Sequence, residues 1–394
     1  MSFPTLQQDI AKPNLYRCDT SVSTYIGKKR NMPQIADSTS KRSIQRLLKF
    51  LTLQRYYEAA PGFSHALGLS SERLYPELFT YQGKTLVFRY TLSSRLPLTK
   101  LDSTVSLSTY LSLLDDVTTW ALMCAKPQQP RPGVSTSFQC DWGPAAHLGM
   151  LPGSVVDIIA TVTKVGKNLG FVRAEVRDVE TGNLVCYGSH TKFLPLGRWL
   201  DFALSPVGQW MMGLYAKWMI SPKSLQQHRM IPLCEMFDTL HFDTHTRAYF
   251  TASRDHLNPV GSLHGGFQAI LMEMVGRQVA MTELATANVH LESIQISYMS
   301  AGSEKLQIDA EVVVLQAPLF VSMRVLVKRR LDGVVASEGL LAFTDSIQKA
   351  GKGKWRRMDG SLAGNVQGES FHSATQRTNS MSSMFSSDMF QSKL

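Results

Sequence analysis

The densest set of groups able to act on a carbonyl is Asn258-Pro259-Val260-Gly261-Ser262-Leu263-His264-Gly265-Gly266. It runs directly into Gly265 to Met281, an apolar stretch that reads as a buried helix. Glycines let the chain turn tightly into that helix and leave backbone N–H groups unshielded. A helix N-terminus offers unpaired N–H donors and partial positive charge, so an ester or thioester oxygen placed there would be polarised. The Asn258 amide could supply a second donor. The plainer reading makes Gly265 and Gly266 packing residues and His264 a core histidine, but Asn, His and Gly-Gly fall together at one helix start, which favours chemistry. The sequence has no Walker loop, H-E-x-x-H or G-x-S-x-G, so nucleotide hydrolysis, zinc proteolysis and a serine-hydrolase elbow lack support.

The elements that must position this motif occur twice. Arg42 to Glu58 carries apolar residues at helical spacing, Gly83 to Leu92 reads as a strand, and Leu107 to Cys124 is apolar over most of its surface, as a buried helix would be. Strands Val155 to Val165, Leu169 to Val179 and Leu184 to Phe193 follow, the last after a hairpin turn at Glu180-Thr181-Gly182-Asn183. The order then returns: helix Trp210 to Met219, strand Arg247 to Ser253, helix from Gly265, and strands Leu306 to Leu315, Phe320 to Lys328 and Gly333 to Phe343. Two copies of one domain, about 150 residues each, account for this. The expected division is a flexible basic arm over 1–41, domains over 42–196 and 197–346, and a disordered Ser/Met-rich tail over 347–394. The cluster Trp210, Met211, Met212, Trp218 and Met219 reads as core packing or a lid, ahead of an acyl pocket or a membrane-facing stripe.

The pattern N-x-x-x-x-x-H-G-G before an apolar helix, with a carboxylate nine positions after the His, resembles the hotdog-fold acyl-CoA thioesterases, in the branch of the small mammalian acyl-CoA and bacterial phenylacetyl-CoA enzymes. NPVGSLHGG and QISYMS carry the resemblance in the second half. SLLDDVTTWALMC, GVSTS, GKNLGFVRAEV and ETGNLVCYGSHTKFL carry it in the first. It implies an α+β fold, a tandem double hotdog in which each long central helix is wrapped by an antiparallel sheet, paired as an intrachain pseudo-dimer with sites at the interface. The family's carboxylate falls on Glu273 in the second copy and Asp115 in the first. Nine residues along a helix are a rise of roughly 13.5 Å and about 900°, so Glu273 cannot serve its own helix start. The resemblance therefore implies one site combining Asn258, His264 and Gly265 with Asp115 and the water-orienting Ser135. The other, with Lys100 and Ser106-Leu107-Ser108 facing Glu273 and Leu291, has lost its clamp and its serine. Asp115 would act as base or nucleophile, and His264 would orient the turn. An ordinary solvated carboxylate, as its neighbour Asp116 could be, is the rival reading for Asp115, but acids within an apolar helix need partners. Coenzyme A carries phosphates, and Gly266, Lys164, Lys167, His190 and Lys192 are candidates to bind substrate.

The formal charge of +10 sits in the flanks: nine basic against three acidic residues over 1–49, seven against three over 348–394, and 25 of each between. A folded nucleic-acid face is thus disfavoured, and Lys28-Lys29-Arg30 and Lys328-Arg329-Arg330 count as weak basic patches. Five scattered cysteines without C-x-x-C argue against a disulfide framework or zinc. No apolar run is long enough to span a membrane. Ser392-Lys393-Leu394 matches the peroxisomal address, so import receptor and peroxisome are expected, ahead of cytoplasm or mitochondrion. The expected function is hydrolysis of fatty or aryl acyl-CoA without metal or redox cofactor, with a dimer of pseudo-dimers as a further option. The alternatives are a non-catalytic acyl-CoA sensor or scaffold and, third, a basic-tailed nucleic-acid adaptor.

Overall fold

The computed structural model describes residues 38–57, 62–70, 73–99, 102–126, 131–143, 149–195, 202, 205–219, 231–258 and 261–345. The described chain opens with α1 (Ser38–Tyr57), which buries Ile44, Leu47 and Leu51 along one face, and a single turn, α2 (Phe63–Ala66). Strands β1 (Phe79–Gln82) and β2 (Thr85–Thr91) precede α3 (Leu107–Ala125), and β3 (Val134–Trp142), β4 (Val155–Val165), β5 (Leu169–Asp178) and β6 (Leu184–Phe193) follow it. After α4 (Pro206–Met219) the arrangement returns as β7 (His241–Thr244), β8 (Arg247–Thr251), α5 (Gly265–Glu283), β9 (Val289–Tyr298), β10 (Lys305–Gln316), β11 (Phe320–Arg329) and β12 (Val335–Asp345).

All twelve strands form one antiparallel sheet in the order β1-β2-β4-β5-β6-β3-β9-β12-β11-β10-β8-β7. The second half of that order repeats the first in reverse. The halves meet where β3 pairs with β9, Gln139 opposite Gln295. Each half wraps one helix, α3 or α5, so both helices are buried over most of their surface, as sequences apolar on nearly every side require. The two helices pack on each other in opposite directions: Ser108 at the start of α3 meets Glu273, and Ser112 Oγ, which also lies 2.8 Å from its own Ser108 carbonyl, lies 2.9 Å from the Gly266 carbonyl at the start of α5. This is the tandem hotdog arrangement.

Helices α3 and α5 and strands β4, β5, β6, β10 and β11 stand where the sequence patterns put them. The first helix begins at Ser38, inside the expected 1–41 arm, and the remainder of that arm lies outside the described residues, as does the 347–394 tail. The central pair β3 and β9 was not read as strands. Polar residues fill β3, and its buried positions lie only at its C-terminal end, so period-two alternation is weak there. The Trp210 cluster is corrected in part: Trp210 and Met211 are exposed, not core.

Candidate active site

Asp115 lies on α3 with its carboxylate buried. Its Oδ1 accepts from Lys192 Nζ at 3.1 Å and from Ser135 Oγ at 3.0 Å, and Lys192 Nζ also donates to Ser135 Oγ at 3.2 Å. Strand register creates this trio. A bulge in β3 at Thr136 sets Ser135 opposite Lys192 on β6, and alternation along β6 turns both His190 and Lys192 inward. His190 stacks on Phe138 and places Nε2 3.6 Å from Asp115 Oδ1.

Oδ2 faces the second half. A Cβ built on Gly265 would lie 2.9 Å from Asp115 Oδ2, so only glycine leaves the gap at this helix start. The turn into α5 is braced throughout. Ser253 N–H donates to His256 Nδ1 at 2.7 Å, Leu257 bridges Leu263, and the Asn258 amide donates to Ser262 Oγ at 2.7 Å while its oxygen accepts from Ser262 N–H at 3.0 Å. Gly261 takes φ +83°, the left-handed region that favours glycine. His264 caps α5: its Nδ1 accepts from Gly266 N–H at 3.0 Å, which fixes the exchangeable proton on Nε2, 3.5 Å from Asp116 Oδ1. The Gly265 N–H is left without an acceptor among the described residues. Tyr298 Oη donates to the Gly265 carbonyl at 3.0 Å, and Phe63 of α2 packs on the His264 ring.

Burial alone would raise the Asp115 carboxyl, but the Lys192 ammonium chiefly, with hydrogen bonding, holds it well below the ordinary carboxylate range. Burial, then Lys192, pushes His190 well below its usual value, so His190 is neutral at physiological pH and Lys192 is the counter-ion. Thr118 Oγ1 lies 2.7 Å from the Leu114 carbonyl and 2.7 Å from His190 Nδ1, which ties the ring to α3. For His264, burial lowers the value but Asp116 and Asp115 more than offset it, giving a net rise; taking a second proton would cost the ring its cap at Gly266. Burial, with Asp115 adding, raises Tyr298 well above its usual value, so it stays a donor.

Asp115, Ser135, His264 and Gly265 are therefore brought together, and Lys192 and His190 join them from within. Lys192 and His190 were candidates to bind substrate; inward alternation along β6 puts them against Asp115. Ser135 donates its proton to Asp115 Oδ1 and accepts from Lys192 Nζ, so a water would meet its Oγ as a donor. Asn258 closes its own turn. Gly266 is a packing glycine: a Cβ there would lie 2.7 Å from Ser112 Cα. Lys164 and Lys167 are exposed at the β4–β5 hairpin. The sequence reading assigned nothing to Tyr298, although it shares an inward face with Ile294 and Ile296, nor to Ser64, which donates to Asp116 at 3.1 Å.

The other helix start differs. Glu273 is fully buried, its Oε2 accepts from Ser108 N–H at 3.3 Å, and Oε1 accepts from Arg277 at 2.8 Å, which also reaches Asp102 at 2.9 Å. Glu273 thus takes the Ser108 N–H, the counterpart of the Gly266 N–H that His264 caps at the other helix start. Leu291 opposite Phe343 stands at the register that Ser135 and Lys192 hold in the first half. Lys100 lies outside the described residues. Among the described residues, no cluster of His, Cys, Asp and Glu is arranged to hold a metal ion.

No family model matches this chain. Over 83 residues it is similar to acyl-coenzyme A thioesterase 13 of Homo sapiens and of Pongo abelii, 35% identical in each case, and of Mus musculus, 34% identical. The match covers 21% of this chain and 55% of each relative, so the chain spans about half the length of the curated relatives it matches. Among solved structures, a 12:0-ACP thioesterase from Umbellularia californica has a TM-score of 0.46 at 11% identity, covering 66% of this chain and 94% of that one. An acyl-ACP thioesterase from Bacteroides thetaiotaomicron has a TM-score of 0.40 at 11% identity, covering 66% and 98%.

Proposed function

We propose that this chain hydrolyses acyl-CoA thioesters to free acid and coenzyme A at a single composite site between its two halves. The observation that carries the reading is Asp115 Oδ2 standing 2.9 Å from where a Gly265 Cβ would be, at the N-terminal end of α5, in a space that only glycine leaves open. A thioester oxygen seated on the Gly265 N–H, at the positive end of α5, would be stabilised as charge develops on it. Asp115 Oδ2 then takes the proton of an attacking water or attacks the carbonyl carbon itself. Lys192 and Ser135 hold Oδ1, so the carboxylate is pinned with Oδ2 forward. The similarity to acyl-coenzyme A thioesterase 13 supports the substrate class. The chain's halves are read as duplicated copies, the second helix start as a site closed by Glu273 and Arg277, and exposed Lys164 and Lys167 as groups for coenzyme A phosphates. No metal or redox cofactor is needed for these steps. The Ser392-Lys393-Leu394 terminus supports delivery to peroxisomes through the import receptor.

The test is free-thiol release from a panel of acyl-CoAs of graded chain length. Turnover that saturates with substrate supports the reading. Tight acyl-CoA binding without thiol release would replace it with a ligand-binding sensor.

A further inference from the structure

The helix α4 presents an apolar stripe to solvent. Val207 is 60% exposed, Trp210 61%, Met211 50% and Leu214 49%, and these positions follow the i, i+3, i+4, i+7 spacing of one helical face. Phe202, just ahead of the helix, is exposed as well. Neither α4 nor α1, the helix it packs against, contains an acidic residue. Opposite its buried face, α1 exposes Lys41, Arg42, Arg46 and Lys49. A contiguous apolar stripe beside a purely cationic one is uncommon on a surface that stays in water. Buried aromatic and thioether side chains at the headgroup boundary, with cations meeting anionic headgroups, are the two forces that hold an interfacial helix on a bilayer. Among the described residues no helix is long and apolar enough to cross a membrane, so the geometry concerns a surface.

We propose that the α1–α4 face docks the protein on an anionic phospholipid bilayer. The stripe Val207, Trp210, Met211 and Leu214 enters the headgroup boundary, and Lys41, Arg42, Arg46 and Lys49 supply the attraction to acidic lipid. None of these residues touches the Asp115 cluster, so the inference does not depend on the thioesterase reading.

The test floats the full chain with vesicles of phosphatidylcholine alone and of phosphatidylcholine mixed with phosphatidylserine, at low and high salt. The parent is expected to float with the mixed vesicles and to release partly as salt rises. The double variant Trp210→Glu, Met211→Glu should lower partitioning by about 10-fold or more. The triple variant Lys41→Glu, Arg42→Glu, Arg46→Glu should lose the preference for phosphatidylserine. All substituted side chains are exposed, so melting should barely change, and an unaltered melt shows that lost flotation is not lost folding. A parent that floats with neither vesicle overturns the proposal, and so does undiminished flotation of the double variant. A parent dimer that the double variant dissociates, with no vesicle binding, overturns it too, because the stripe would then be covered by a second copy.

Discussion

Gly265 and Gly266 adjoin in sequence but answer to different neighbours. A Cβ at Gly265 meets the tip of Asp115 and the Tyr298 ring, whereas at Gly266 it meets the Cα of Ser112. Gly265→Ala should therefore lower kcat on the order of 100-fold with a small change in melting. Gly266→Ala should push α3 and α5 apart and cost about 1–3 kcal/mol of stability, read by denaturant unfolding. From sequence both glycines pointed to the site, since nothing in a linear motif shows which faces a helix and which a carboxylate. Lys192 gives a second residue-scale prediction. With its folded-state value depressed, Asp115 contributes stability that is present above its unfolded value of about 3.9 and lost as pH falls through the folded value. Lys192→Met removes the cation, so burial dominates and the folded value rises. The variant's penalty should then grow as pH rises through that value, and its pH–rate profile should gain an acidic limb that the parent lacks above about pH 5. A profile with the parent's acidic side would show that Lys192 does not set the charge of Asp115.

At the scale of elements, the helices and outer strands were legible because burial on one face, or on all faces, writes a period into the sequence. The join of β3 to β9 was not, since those strands gain their partners from opposite halves and their polar ends face the site. Alternation along β6 could have shown that His190 and Lys192 point inward, as Cys186 and Gly188 two steps earlier are small and buried. Antiparallel packing of α3 on α5 places each helix's carboxylate at the other's N-terminus, and the two ends differ. One carboxylate lies against the Gly265 end of α5. The other is tied down by Arg277, a nearly buried guanidinium bridging Glu273 and Asp102. Arg277→Met should cost about 3 kcal/mol by leaving Glu273 buried without its cation, and should leave thiol release per folded molecule close to that of the parent. Loss of turnover without loss of stability would assign Arg277 to catalysis.

At the scale of the whole molecule, a sheet whose strand order reads the same from either end makes two equivalent helix starts, and a single chain frees them to change independently. A homodimer could not keep Ser135 and Lys192 in one half and Leu291 and Phe343 in the other. The proposed peroxisomal delivery is tested by removing Ser392-Lys393-Leu394, which should move a fluorescent fusion, tagged at the N-terminus, from punctate peroxisomes to a diffuse distribution. The claim that one site works and its counterpart does not is tested most directly by kcat for acyl-CoA hydrolysis in Asp115→Asn and Glu273→Gln, each corrected for the folded fraction. Asp115→Asn should lose on the order of 100-fold or more while Glu273→Gln keeps nearly the parent rate. Equal losses in the two variants, or a larger loss in Glu273→Gln, would contradict it.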